Sequence, residues 1–235
     1  MRLASSSTKS SSTNQADQGQ NDDYQYTFEK DGTHITLDAM VNAAFHVGGT
    51  TLHPANRAYI YGKRHRSFMI NPEKTLVALR SALMITRAVA AQGGQIVFAD
   101  ERPLFREIVR REAKRCGQHV FTKRWQPGWL TNRDVVKSEF WPDLFVFFHV
   151  GIFGGSCINE TRRVGIPTIG VISTSCDPSR VTYPILVGTD NYAPNVMLPR
   201  LFSNAVLEGQ QLKGQSEDDI LRTSLRLTVE RQQHS

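Results

Sequence analysis

The sequence predicts an α/β fold: a central parallel sheet covered by helices on both faces, three layers in all. Three observations carry that prediction. Residues 143–150 and Thr168–Ile172 are strongly apolar runs, continuous rather than alternating, as expected of strands buried on both sides. Segments of helical period separate such runs, and Ser156–Val164 is one of them. Parallel neighbours need a crossover of about a dozen residues, and a helix is the usual one. At 235 residues, with 40% hydrophobic and 9% aromatic content, the chain holds enough apolar material for one large domain. Its longest apolar run, 144–148, stops at His149, far short of the ~18 residues a membrane span requires.

Taken in order, residues 1–16 hold Arg2 and Lys9, no acid, six serines and two threonines. That composition nucleates no core and matches an organelle transit peptide, so residues 1–34 are expected to be a disordered extension. Asn71, Pro72 and Glu73 form a helix entry, with a capping side chain and Pro at the first helical position, and Gly93-Gly94 closes the run. Leu76, Leu79, Leu83 and Ala90 share its inner face; Arg80 and Arg87 share an outer one. Residues 95–99 predict a buried strand and 104–116 a helix, with Phe105, Ile108, Val109 and Ala113 inward. Arg106, Arg110, Arg111, Lys114 and Arg115 lie on its outer side. A short strand is expected at 119–122. The domain is expected to span 35–209, followed by a polar tail, 210–235, with a weak helical pattern at Ile220, Leu221, Leu225 and Leu227.

The charge is unevenly placed. The net is +6, yet residues 57–133 hold sixteen Lys or Arg against five acids, a local +11 that leaves −5 for the remainder. Such a concentration suits a phosphate backbone. Basic and aromatic residues interleave at two places within it. One holds Arg57, Tyr59, Tyr61, Lys63, Arg64, His65 and Arg66; the other holds Lys123, Arg124, Trp125, Trp129, Thr131, Asn132 and Arg133. Cations meet phosphates and rings stack on exposed bases in this kind of RNA contact.

Other constellations are weaker. The glycine loop from Gly151 through Gly154 and Gly155 to Ser156 lies between a strand and a helix, where a phosphate can bind, but it matches neither common phosphate-loop pattern. Cys116 and His119 have zinc-like spacing without a second pair. Cys176 precedes Asp177 and Pro178 with no base nearby in sequence, and the three widely spaced cysteines suit a reducing compartment.

Several ordered blocks together resemble the ribosomal protein S2 family, the second protein of the small ribosomal subunit, in its bacterial and organellar branch. Residues 37–48, with His46 and Gly48, are similar to the family's early helix and His-x-Gly turn. Residues 57–75 resemble its K-P-Y-I-F-G-x-R-N-G-x-x-I-I-N-L-E-K-T block. Arg124, Trp125, Gly128, Leu130, Thr131 and Asn132 match its R-W-x-x-G-x-L-T-N signature. Glu160 with residues 165–178, and residues 183–190, match two later blocks. The resemblance implies a flavodoxin-like (Rossmann-like) fold and a non-catalytic role without cofactor or metal. It implies binding to small-subunit rRNA and neighbouring ribosomal proteins, with no membrane or small-molecule partner. The residues expected at the RNA are Arg57, Tyr61, Lys63, Arg64, His65, Arg66, Lys123, Arg124, Trp125, Thr131, Asn132 and Arg133. Gly49 stands where the family has a second His, and Ser173 and Ser175 where it has Asp and Asn. Bacterial members insert a helical hairpin after Thr-Asn, which the eight residues from Arg133 to Phe140 are too few to form. Together with the presequence-like start, this favours a mitochondrial member. The rival expectation from another class is an α/β enzyme that cradles a phosphate or nucleotide in the Gly151 to Ser156 loop; a third is an RNA-binding module outside the ribosome.

Overall fold

A computed structural model describes residues 35–132, 141–151 and 156–233, with side chains through 214. The expected extension 1–34, Arg133, residues 152–155 of the glycine loop and the side chains at Ile220, Leu221, Leu225 and Leu227 lie outside what is described.

Helix α1 (Leu37–Asn42) leads to a hairpin of β1 (Ile60–Arg64) and β2 (Ser67–Ile70). There follow α2 (Pro72–Ala91), β3 (Ile96–Ala99), α3 (Arg106–Arg115), β4 (His119–Phe121), β5 (Leu144–Phe147), α4 (Ser156–Val164), β6 (Thr168–Ile172), β7 (Tyr183–Leu186) and α5 (Tyr192–Gln233). Strands β3 to β7 form one parallel sheet in the order β4-β3-β5-β6-β7. Counted within that sheet the order is 2-1-3-4-5, the flavodoxin-like winding.

Alternation along the strands divides the core in two. Ile96 and Phe98 of β3, and Leu144 and Val146 of β5 with Phe148 just beyond it, face one side, where they meet α2, α3 and α5 through Leu79, Val109, Ala113, Leu201 and Phe202. Val97, Ala99, Phe145 and Phe147 face the other, against Cys157 and Ile158 of α4 and against Trp125 and Leu130. Every residue of β3, β5 and β6 is buried. That explains why these strands appear in the sequence as unbroken apolar runs.

Helix α2 begins as expected: the Asn71 side chain accepts from the Glu73 and Lys74 backbone N–H groups at 3.0 and 3.4 Å, and Pro72 opens the helix. Its main partner is α5, whose Gly209 lies so close that a Cβ there would stand 2.4 Å from the Arg87 carbonyl oxygen. Sequence reasoning did not anticipate the buried half of α5. Pro199 interrupts its helical pattern, yet the helix runs through it and on across 209–210 to Gln233.

In this winding a ligand would enter between β3 and β5 at their carboxyl ends, where the strand order reverses. Here Arg102 fills that place. Its guanidinium donates to Asp100 at 2.7 and 3.1 Å, to the Phe148 carbonyl at 3.3 Å and to the Thr189 carbonyl at 3.4 Å, and lies over the Phe105 ring at 4.4 Å. Next to it His149 is held neutral. Burial, and then the Arg102 charge, lower its pKa to about 4, against the opposing pull of Asp100 and Asp190. The thiols of Cys116 and Cys157 are buried and pushed up by that burial, whereas Cys176 is half-exposed.

The His149 shift fixes a sign. Between pH 6.5 and 4 the unfolded chain takes up a proton that the folded chain refuses, so this histidine subtracts stability as pH falls through that window. Urea titrations at pH 7 and pH 4 should show the wild type losing on the order of 2–3 kcal/mol more than His149→Gln. Equal losses would contradict the burial of a neutral imidazole.

Candidate nucleic-acid interface

The first basic element is the β1–β2 hairpin, a pair of strands the sequence analysis did not place. Residues 46–49 pair alongside β2: Gly48 N–H donates to the Phe68 carbonyl at 2.9 Å, Phe68 N–H to Gly49 at 3.0 Å and Ile70 N–H to His46 at 2.8 Å. Gly48 is required by space, because a Cβ there would lie 2.5 Å from Thr174 Cγ2 and 2.9 Å from the Phe68 oxygen. Buried Asn56 donates its amide to the Thr174 and Cys176 carbonyls at 3.0 and 2.7 Å, tying the turn Pro54–Tyr59 to the segment that follows β6.

At the tip, Arg64 pairs with Ser67, leaving His65 and Arg66 as a two-residue turn with φ of 44° and 71°. Both values are left-handed, as in the type I′ turn that suits the strand twist, for which Asn-Gly is the preferred pair. A bulge between Ile60 and Gly62 leaves Tyr61 as the extra residue, its side chain 85% exposed at the rim of an open apolar pocket of about 330 Å³ lined by Leu37, Val41 and Met69. Arg57, Lys63, Arg64, His65 and Arg66 are exposed around it, and the Lys63 ammonium lies 5.1 Å from the Phe68 ring centroid.

The second element is the segment 123–132 beyond β4. Trp125 is only 7% exposed. Its ring packs edge-on against Phe121, Trp129 and Phe145, with centroids 4.9, 5.2 and 6.4 Å away. That ring is used for packing, so it presents no face for a base to stack on. Two carboxylates pin the backbone around it. Glu101 accepts from Trp125 N–H at 2.9 Å, and buried Glu160 of α4 accepts from Gly128 N–H at 2.6 Å and Leu130 N–H at 3.2 Å. Lys123, Arg124, Thr131 and Asn132 remain exposed along the outside.

Both elements stand at the carboxyl edge of the sheet and contribute to one hydrophobic cluster: Ile70, Tyr59 and Ile60 from one, Trp125, Leu130 and Trp129 from the other. Among the described residues, Arg57, Lys63, Arg64, Arg66, Lys123 and Arg124 form no ion pair. Their charge is therefore free for a partner. Sequence reasoning found these cations but not the carboxylates that hold their frame; Glu160 was visible only as a member of a family block, and nothing local marks Glu101 as a clamp.

Of the other constellations, only the described residues can be placed. Among the described residues no group of three or more His, Cys, Asp or Glu is placed to hold a metal ion. The Cys116 thiol is buried and donates to the Ala113 carbonyl at 3.4 Å. At Gly151 an added Cβ would sit 3.1 Å from His149 Nε2 and 3.3 Å from Cys176 Sγ, so the start of the glycine loop is crowded by side chains.

Glu160→Ala should leave the Gly128 and Leu130 N–H groups without their acceptor and cost about 2–4 kcal/mol in urea denaturation, with faster tryptic cleavage at Lys123 and Arg124. Glu160→Gln, which keeps an acceptor, should lose less than half as much. Equal behaviour of the two variants would rule out the clamp.

The comparisons agree with this construction. The family model described as Ribosomal protein S2 matches residues 40–145 and 152–209. A bovine (Bos taurus) protein named small ribosomal subunit protein uS2m is 32% identical over 191 residues, covering 78% of this chain and 65% of the relative. The protein of the same name from Schizosaccharomyces pombe is 29% identical over 78% of this chain and 79% of its own length. A bacterial relative, small ribosomal subunit protein uS2 from Dictyoglomus thermophilum, is 26% identical over 79% of this chain and 94% of its own. The chain thus spans about two thirds of the bovine relative's length. With the blocks, the strand order and the family model in agreement over most of its domain, the chain belongs to the ribosomal protein S2 family.

Proposed function

We propose that this protein is a structural constituent of the small subunit of the mitochondrial ribosome, where it binds small-subunit rRNA and neighbouring subunit proteins in support of mitochondrial translation. The observation that carries the reading is the set of six exposed cations that form no ion pair among the described residues, on two elements fixed to one edge of the sheet. Relatives named as small-subunit proteins support rRNA as the polyanion, and the mitochondrial forms among them support the compartment.

Binding is electrostatic clamping by a preorganised surface. Arg57, Lys63, Arg64, Arg66, Lys123 and Arg124 meet phosphates, and His65, Thr131 and Asn132 add polar contacts. Tyr61 offers an exposed ring, and Arg133 extends the same segment. Trp125 serves from behind, by fixing the direction of Lys123 and Arg124. Because the frame is already pinned, little ordering of the protein has to accompany binding.

The hairpin tip supports the reading independently. The family pattern has Asn-Gly at the turn, the pair best suited to left-handed φ, whereas this chain holds His65 and Arg66 there. A non-glycine residue in that region costs on the order of 1 kcal/mol, so a cationic tip is kept against the backbone's preference.

Small subunits stripped of this protein by a high-salt wash, then offered the full chain at increasing ionic strength, provide the assay. Lys63→Gln, Arg64→Gln and Arg66→Gln together should lower the salt slope of rebinding by roughly two to three units if each residue meets one phosphate. His65→Asn with Arg66→Gly should raise the unfolding midpoint, by about 1 kcal/mol in stability, while weakening rebinding and removing about one unit of slope. Unchanged slopes in both would dismiss the hairpin as an RNA contact.

A further inference from the structure

The outer face of α3 is strongly basic, and its five cations do different jobs. Arg106 is tied down, donating to the Glu101 carbonyl at 3.2 and 3.1 Å. Arg115 is tied more firmly: it lies 2.9 Å from the buried Glu112 carboxylate and donates to Ser203 Oγ at 3.2 Å and to the Arg200 carbonyl at 3.3 Å, fastening α3 to α5. Glu112 is thereby engaged with Arg115, and Arg111, whose side chain is 69% exposed, only grazes it at 3.5 Å. Arg110 keeps a half-exposed head, with Nε on Thr122 Oγ1 at 3.1 Å and Glu107 at 3.5 Å. Lys114 is exposed and makes no ion pair or hydrogen bond among the described residues.

Positions 107, 110, 111 and 114 form one stripe of the helix, opposite the stripe of Val109, Glu112 and Ala113 that faces the core. Arg110, Arg111 and Lys114 therefore crowd like charges within little more than one turn, which is unfavourable in isolation. Lys114 and Arg115 both stand in the last turn, where the helix dipole favours cations. The stripe is also continuous with the second basic element, because Thr122, which receives Arg110, immediately precedes Lys123 and Arg124.

We infer that Arg110, Arg111 and Lys114 form a further phosphate-binding strip that carries the RNA backbone from the 123–132 segment along the outside of α3. The inference rests on the proposed rRNA binding and extends it to a face outside the two basic-aromatic elements. An acidic protein surface would fit the charge alone; continuity with Lys123 and Arg124 favours RNA.

The test uses the full chain and stripped small subunits. Arg111→Gln with Lys114→Gln should leave the unfolding midpoint unchanged, weaken rebinding about tenfold at physiological salt and reduce the salt slope by about two units. Arg80→Gln with Arg87→Gln, an equal loss of charge on α2, should leave the slope unchanged. If the α3 variant keeps the wild-type slope while the Lys63, Arg64 and Arg66 variant loses it, the strip is overturned and the ribosomal reading stands. An equal loss in the α2 variant would reduce the effect to net charge and also overturn it. Chemical crosslinks from the Lys114 amine to a subunit protein, with the slope intact, would assign the face to a protein neighbour instead. Failure of the wild type to rebind at all would remove the ribosomal reading itself.

Discussion

The architecture depends on a parallel sheet that must be covered on both faces. Strands β3, β5 and β6 have no exposed side, so each face needs its own apolar layer. Three helices provide the first. On the second, among the described residues, α4 covers part and the segment around Trp125 and Trp129 covers more. A non-helical segment leaves backbone N–H groups over an apolar cluster, and these need acceptors. Glu101 and Glu160 supply them. The consequence is a stretch of irregular chain as fixed as a helix, with its cations turned outward.

Positive charge in this protein falls into two populations that composition cannot separate. Arg102 and Arg115 are structural: one fills the ligand crevice of the winding with its own guanidinium, the other joins α3 to α5. Among the described residues, the exposed cations of the hairpin and of the segment after β4 form no ion pair, and those of the α3 stripe are held more loosely, Arg110 by Thr122 and Glu107 and Arg111 by Glu112 at 3.5 Å. The local excess between 57 and 133 therefore counts structural cations together with exposed ones. A fold shared with many enzymes carries no chemistry by itself, and here the crevice at the carboxyl ends of β3 and β5 is filled by Arg102.

Much of this was legible in the sequence, for physical reasons that differ from element to element. Thr168–Ile172 and Ser156–Val164 were found to the residue because burial on both faces and a clear helical period leave plain signals. The buried start of α5 was hidden by Pro199, and β7 by its shortness and by Tyr183 and Pro184 at its less buried start. The hairpin was missed because His65-Arg66 is not a pair that announces a type I′ turn. Of the expected contact residues, most stand exposed on the two basic elements, but Trp125 is buried. An aromatic beside two cations looks the same in sequence whether its ring stacks on a base or fills a core. The clamps formed by Glu101 and Glu160 join residues 24 to 32 positions apart, a pairing no local pattern encodes.

The central claim is that this protein is held in a ribosomal particle by RNA. Gradient sedimentation of mitochondrial lysate, with and without ribonuclease, tests it most directly. The account predicts comigration with small-subunit rRNA that is lost on digestion. A pool at the monomer position that ribonuclease does not change would contradict it.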